Sequence, residues 1–274
     1  MEKLKFDNLE QYLLLKNGNY LYKIPYKDGH AVLKLYYGSR SPFQRIYKTF
    51  SNVVIEGQTS FMPKARLKTE KDAIRVWKKA GFRVFDIYNN VEVEGLPKGG
   101  YALYEYVEGR HFHKLLPDAS VPLEERLALY REFLDQWHRR HRIAVDQKEP
   151  RLIHENGDLK HVIDYNGELV WFDFEMCYRS RTHVEDLVAR EILAYLKSLG
   201  QFLKNSELFE TFFKETMEHY EGKDFLAQTY NIAFKHRNPV VRLGRSLDSR
   251  FSKSSGKWHS KYNMAKRVKE HLAK

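Results

Sequence analysis

The stretch Leu152–Cys177, LIHENGDLKHVIDYNGELVWFDFEMC, constrains this chain more than any other. Leu152 and Ile153 lead into a polar loop from His154 to His161. Val162 and Ile163 begin a short strand, Asn166-Gly167 turns it, and a second strand over Leu169 to Phe172 runs into Asp173-Phe174-Glu175. Asn-Gly between two β-prone runs is a strong hairpin signal, because both central residues of the favoured turn need positive φ. A hairpin here brings two polar clusters, His154 to His161 and Asp173 to Glu175, to the same end. Carboxylates and imidazoles gathered in this way suit metal-assisted transfer chemistry.

A chain of 274 residues buries one large core or two smaller ones. Hydrophobic residues at 42% exclude global disorder. The single cysteine, Cys177, leaves no internal disulfide framework, fits a reducing compartment and reads as a small buried residue. MEKLKFDNLEQYLLLK lacks a signal-peptide apolar run, and no stretch is long enough to span a membrane. The expectation is a cytoplasmic protein, at most peripheral at the inner face of a membrane. The net charge of +11 is local: Lys235 to Lys274 holds twelve Lys/Arg against Asp248 and Glu270. A localised basic region implies an anionic partner.

Residues 20–37 read as two strands around Asp28-Gly29, preceded by a turn containing Gly18. Lys34 interrupts the apolar run Ala31–Leu35, and a buried ammonium needs a carboxylate or phosphate partner. Residues 65–80 form a helix with Leu67, Ala73, Ile74 and Trp77 inward and Gly81 ending it. A strand over Phe82–Tyr88, a hairpin around Glu94–Gly100, and Tyr101–Gly109 follow. Residues 122–142 form a helix with Leu127, Tyr130, Leu134, Trp137 and His141 in one stripe. Its basic end, His138 to Arg142, suits either a phosphate or the helix dipole. His183–Leu199 and Phe202–Tyr220 are further helices. In the tail, basic residues interleave with Phe251, Trp258 and Tyr262, a pattern suited to phosphate-rich ligands.

Taken in order, these segments resemble the protein-kinase-like superfamily, which writes H-x-D-x-x-x-x-N, a hairpin, then D-F-G or D-x-E. The flavour is nearest to the bacterial kinases of lipopolysaccharide core sugars, heptose or Kdo. With His154 as the motif histidine, Asn156 takes the aspartate position and His161 the asparagine position. With Asp158 as the catalytic residue, Asp158-Leu159-Lys160 matches D-L-K and Ile163 falls where a metal ligand is needed. The favoured reading combines the two: Asp158 as acid/base and His161 as ligand, since a carboxylate can take a hydroxyl proton and an amide cannot.

The resemblance implies an α+β, bilobal, kinase-like fold with a β-rich N-lobe over 1–107 and a larger, mostly helical C-lobe over 108–274. It implies ATP and Mg²⁺ as cofactors. Lys34 would hold the phosphates, Glu70 would orient Lys34, Gly18 would lie in the phosphate-covering turn, and the backbone of Glu105 and Val107 would meet adenine. Tyr104 would back that pocket. Asp173 and His161 would hold Mg²⁺, with Glu175 a second-site helper. Asp158, with Asn156 as the other register, would deprotonate the acceptor, and Lys160 would neutralise phosphoryl charge. The acceptor would be an anionic glycolipid or sugar phosphate; the basic tail, outside the resemblance, offers Arg237, Arg242 and Arg245 as candidate acceptor-binding residues. The short Tyr178–Thr182 segment leaves no room for a long activation loop. The alternatives are a RIO- or Bud32-like kinase acting on a protein or RNA-associated substrate, and a nucleotide-binding pseudokinase whose basic tail docks RNA or membrane.

Overall fold

The computed structural model describes residues 1–16, 19–36, 62–204, 206–235 and 257–274. These form two compact units. One is Met1–Glu108 with Val170–Arg179, the other Gly109–Leu169 with Ser180–Lys274. The sequence reading divided the chain once, at 107/108. In the structure the chain leaves the first unit after Glu108 and returns to it for ten residues, Val170–Arg179. The class is the expected α+β, with a smaller β-rich N-terminal part and a larger helical C-terminal part.

In the first unit, β1 (Glu2–Leu4) precedes β2 (Leu13–Lys16), β3 (Tyr20–Tyr26), β4 (Gly29–Leu35), helix α1 (Pro63–Lys79), β5 (Ile87–Tyr88), β6 (Val91–Val93) and β7 (Tyr101–Glu105). The main sheet runs β2-β3-β4-β7-β5. Alternation along β3 and β4 sends Tyr22, Ile24, Tyr26, Ala31 and Leu33 into a core shared with Val93 and Leu103. Lys34, next to Leu33, therefore points to the other face. Two local expectations shift. The β3–β4 turn is Lys27-Asp28, with Lys27 at φ 52°, one residue before the predicted Asp28-Gly29. Strand β6 makes no hairpin with β7; it pairs in parallel with β1.

Helix α1 buries Leu67, Ala73, Ile74 and Trp77, the predicted stripe. It stops where Gly81 takes φ +82°. There the Gly81 N–H donates to the Lys78 carbonyl and the Phe82 N–H to that of Trp77, both at 3.0 Å. This paired capping motif is completed by the Trp77 and Phe82 rings, 5.9 Å apart.

In the second unit, β8 (Arg110–His111) and a single turn, α2 (Phe112–Leu115), lead to α3 (Leu123–Asp146). The hairpin of β9 (Val162–Tyr165) and β10 (Glu168–Trp171) comes next, the last two residues of β10 already belonging to the first unit, then α4 (Val184–Leu203), α5 (Glu207–His219), α6 (Lys223–Phe234) and α7 (Lys261–Leu272). Asn166 and Gly167 hold φ of 53° and 85°, the turn that the sequence demanded. The Gly167 N–H donates to Asp164 Oδ1 at 2.9 Å.

The basic end of α3 is partly internal. Arg140 and His141 are wholly buried. Arg140 donates to both Glu191 oxygens and to the Leu152 carbonyl. His141 donates from Nε2 to Glu191 at 3.0 Å and accepts the Tyr220 hydroxyl at Nδ1 at 2.7 Å. These two residues brace α3 against α4 and are spent on structure, so the phosphate reading fails for them. The tail is likewise less free than its composition suggests. Helix α7 buries Tyr262, Met264, Ala265 and Val268, and Trp258 meets the Phe209 ring edge-on at 4.8 Å. Among the described residues no helix is long and apolar enough to cross a membrane.

Two measurements test this packing. A Cβ on Gly157 would lie 2.8 Å from the Tyr195 ring, so Gly157→Ala costs about 1–3 kcal/mol in urea denaturation. Gly29→Ala, with nothing within 4 Å, changes stability by less than about 1 kcal/mol. Burial pushes His141 down to about 4 against 6.5 in the unfolded chain, despite the pull of Glu191. Between those values the unfolded chain binds the extra proton. This contribution is therefore complete above pH 6.5 and lost as pH falls toward 4, by up to about 3 kcal/mol. Urea midpoints from pH 8 to pH 4 should show that loss, and His141→Phe should flatten it.

Candidate active site

Lys34 is the centre of the first unit's polar cluster. Its Nζ lies 2.9 and 3.0 Å from the two Glu70 oxygens, 3.2 Å from Glu175 and 3.3 Å from Asp173. Glu70 comes from α1, one turn after Arg66, and Arg66 forms an ion pair with Glu175. Asn19 Nδ2 donates to the other Glu175 oxygen at 2.6 Å. The Tyr36 hydroxyl donates to Glu70, and the Tyr104 hydroxyl donates to that of Tyr36 at 2.5 Å. Two cations thus face three carboxylates, with two phenols behind.

Burial works against the Lys34 ammonium, but Glu175, Glu70 and Asp173 outweigh it and hold Lys34 well above the ordinary lysine value. Burial raises the Glu70 carboxyl, and Glu175 and Asp173 add to this while Lys34 opposes it. One shared ammonium explains both directions: Lys34 is firmly charged, and no carboxylate has it alone. Burial, then Glu70, also raises Tyr36 and Tyr104 far above the phenol range, so both stay neutral.

Asp173 sits at φ +73°, a left-handed backbone that a non-glycine residue keeps only where neighbours hold it. Here both sides are held. Phe172 stacks on Phe85 at 5.2 Å, and buried Phe174 packs on Trp77 at 4.6 Å. The Trp171 N–H donates to the Arg83 carbonyl at 3.1 Å. The Asp173 side chain is 30% exposed, the most open of the three carboxylates around Lys34. Glu105, expected to meet a ligand through its backbone, gives its N–H to the Asp86 carbonyl at 2.9 Å, while its carboxylate takes Arg83 and the Asp86 N–H. Val107 is buried.

The second unit gathers a different set. Asp158 caps the short 3₁₀ turn Leu159–His161 by accepting the Lys160 N–H at 3.0 Å. The Ser198 hydroxyl donates to the same oxygen at 2.9 Å, and the other oxygen is 3.4 Å from Lys160 Nζ. His111 donates from Nδ1 to the Lys160 carbonyl at 2.9 Å. The rings of His154 and His161 lie 5.3 Å apart, and His154 meets the Tyr195 hydroxyl at 3.1 Å. His161 must donate from Nδ1 to the Asn156 carbonyl at 3.1 Å, because a carbonyl only accepts. In the neutral ring that leaves the lone pair on Nε2, as a metal ligand requires. The Asn156 side chain is on the exposed rim of the loop.

Among the described residues no group of three or more His, Cys, Asp or Glu is arranged to hold a metal ion. Asp173 suits a single hard ligand, being a partly exposed carboxylate. Both Glu175 oxygens face cations or an amide donor, so a metal there would have to displace Lys34 or Arg66. Gly18, Arg237, Arg242 and Arg245 lie outside the described residues. Sequence reasoning missed Tyr36, Arg66 and Ser198. Tyr36 was findable, two residues beyond Lys34 on the same strand face. Arg66 was findable, four residues before Glu70 on one helix face. Ser198 carries no such signal.

No family model matches the chain, and no curated protein does. A solved structure of WaaP in complex with acyl carrier protein aligns with 95% of this chain and 90% of its own, at 11% identity and a TM-score of 0.39.

Lys34→Met leaves three carboxylates around an apolar tip and should lower unfolding free energy by about 3–5 kcal/mol at neutral pH. The deficit should shrink as pH falls and Glu70 protonates. Lys34→Met/Glu70→Leu should recover part of it. Guanidinium titrations at pH 7.5 and 5 measure both, and an unchanged midpoint in Lys34→Met would remove Lys34 from the centre of the cluster.

Proposed function

We propose that this protein is a kinase that moves the γ-phosphate of ATP, with Mg²⁺, to a hydroxyl group, and that its acceptor is a sugar of an anionic glycolipid such as the lipopolysaccharide inner core. The observation that carries the reading is Lys34: a buried ammonium paired with a helix carboxylate, beside an aspartate held in a left-handed turn. In this reading Lys34, oriented by Glu70, binds phosphate oxygens, Tyr104 backs the adenine, and Glu105 and Val107 meet its edge. Asp173 and His161 would each offer Mg²⁺ a ligand, and the ion would neutralise charge on the transferring phosphoryl group.

Asp158 is the acceptor base. Ser198 and the Lys160 amide fix one of its oxygens, leaving the geometry of the other defined rather than mobile. Lys160 steadies phosphoryl charge, and Asn156 shapes the loop through its carbonyl. A sugar acceptor is favoured over a protein because few residues separate Glu175 from α4, which starts at Val184. Arg237, Arg242 and Arg245 remain the proposed acceptor-binding residues, and contact with an anionic inner membrane surface fits the basic tail.

The test is transfer of labelled γ-phosphate from MgATP to core glycolipids, a generic protein and RNA. Glycolipid should be labelled. Asp173→Ala should abolish labelling, Asp158→Ala should lower kcat by about 10²–10⁴, and Asn156→Ala should leave it within a few-fold. Loss with Asn156→Ala alone would move the base to Asn156's register. Bound ATP with no transfer to any acceptor would leave a pseudokinase.

A further inference from the structure

Arg66 has no part in the chemistry just described, yet it is nearly inaccessible, with 3% of its side chain exposed. A buried guanidinium is kept only where a partner repays its desolvation. One such partner is Glu175, itself 14% exposed. Glu175 joins four places in the first unit: Arg66 on α1, Asn19 just ahead of β3, Lys34 on β4, and, through the chain, Asp173 two residues earlier. Arg66 and Glu70 lie one turn apart on α1. The helix therefore presents opposite charges to two targets, its carboxylate to Lys34 and its guanidinium to Glu175.

The charge count gives this arrangement its consequence. With Arg66 present, two cations balance three carboxylates to within one charge. Without it, among the described residues, Lys34 alone faces the three carboxylates and is the one cation left beside Glu175, 3.2 Å away. Glu175 would then compete directly with any phosphate for the Lys34 ammonium. It would also lose the anchor that helps to hold the Asp173 turn in its left-handed backbone.

We propose that Arg66 is a positioning residue which, through Glu175, keeps Lys34 available to an anionic ligand and fixes the orientation of Asp173. The inference rests on the nucleotide reading above, and its test separates the two. Arg66→Met and Arg66→Lys are compared with wild type by MgATP titration calorimetry and by amide hydrogen exchange over residues 172–178, with urea midpoints recorded alongside. Arg66→Met should weaken MgATP about tenfold and speed exchange in that segment at least fivefold, more than elsewhere in the unit. Arg66→Lys, which still offers Glu175 a cation, should restore most of both. Exchange that rises evenly across the unit, with affinity unchanged in the folded fraction, would assign Arg66 a merely structural role and overturn the proposal. Unchanged exchange at 172–178 would overturn it whether or not ATP binds. If wild type itself binds no MgATP, the function assigned to Lys34 falls, and with it the role of Arg66 toward a ligand.

Discussion

A desolvated ammonium organises the first unit. Lys34 stands on a strand whose other face sends Ala31 and Leu33 into the core, so β4 can neither rotate nor slip without exchanging Leu33 for a charge. The cost of keeping that ammonium out of water is met by carboxylates drawn from α1 and from the segment after β10. Helix, strand and returning segment are therefore mutually specified. Among the described residues the same three-way sharing sets three carboxylates against Lys34 and Arg66, and Asp173 is the most exposed of the three.

The second unit answers to a comparable constraint of a quieter kind. Glu191 is wholly buried; burial alone would raise its carboxyl, but Arg140 and His141 hold it at about 2. Arg140 also takes the Leu152 carbonyl, two residues before His154. The loop that carries Asp158 and His161 thus starts from a point fixed by an ion pair deep between α3 and α4. Ser198, further along α4, fixes its middle. One helix sets both the entry and the cap of the loop.

What could be read from the sequence was what is encoded locally. Asn166-Gly167, Gly81 and the Leu127–His141 stripe each declare their geometry within a few residues, and the structure has them there. Lys34 declared itself by being wrong for its strand, and Glu70 by its place on the helix that follows. The Lys27-Asp28 turn slipped by one because lysine, not glycine, took the positive φ. The partnership of β6 with β1 was invisible because it is set by a parallel pairing some 90 residues apart. Arg140 was hidden at the basic end of α3, where an arginine reads as solvated until the distant carboxylate that claims it is known. Trp258 and Tyr262 read among lysines as part of a ligand surface; in the structure Trp258 packs on Phe209 and Tyr262 is buried in α7.

The first unit draws Val170–Arg179 from late in the chain, and those residues include the Trp171 and Phe174 rings that pack on Trp77. A ribosome delivers residues 109–169 before it delivers that piece. The β-rich unit therefore cannot mature as an independent product of early synthesis. Trp77, and Lys34 with most of its counter-charge missing, must wait for about sixty further residues to emerge. Completion of the first unit is therefore delayed until Arg179 has emerged, which ties the quality of the N-terminal half to successful translation past the midpoint of the chain.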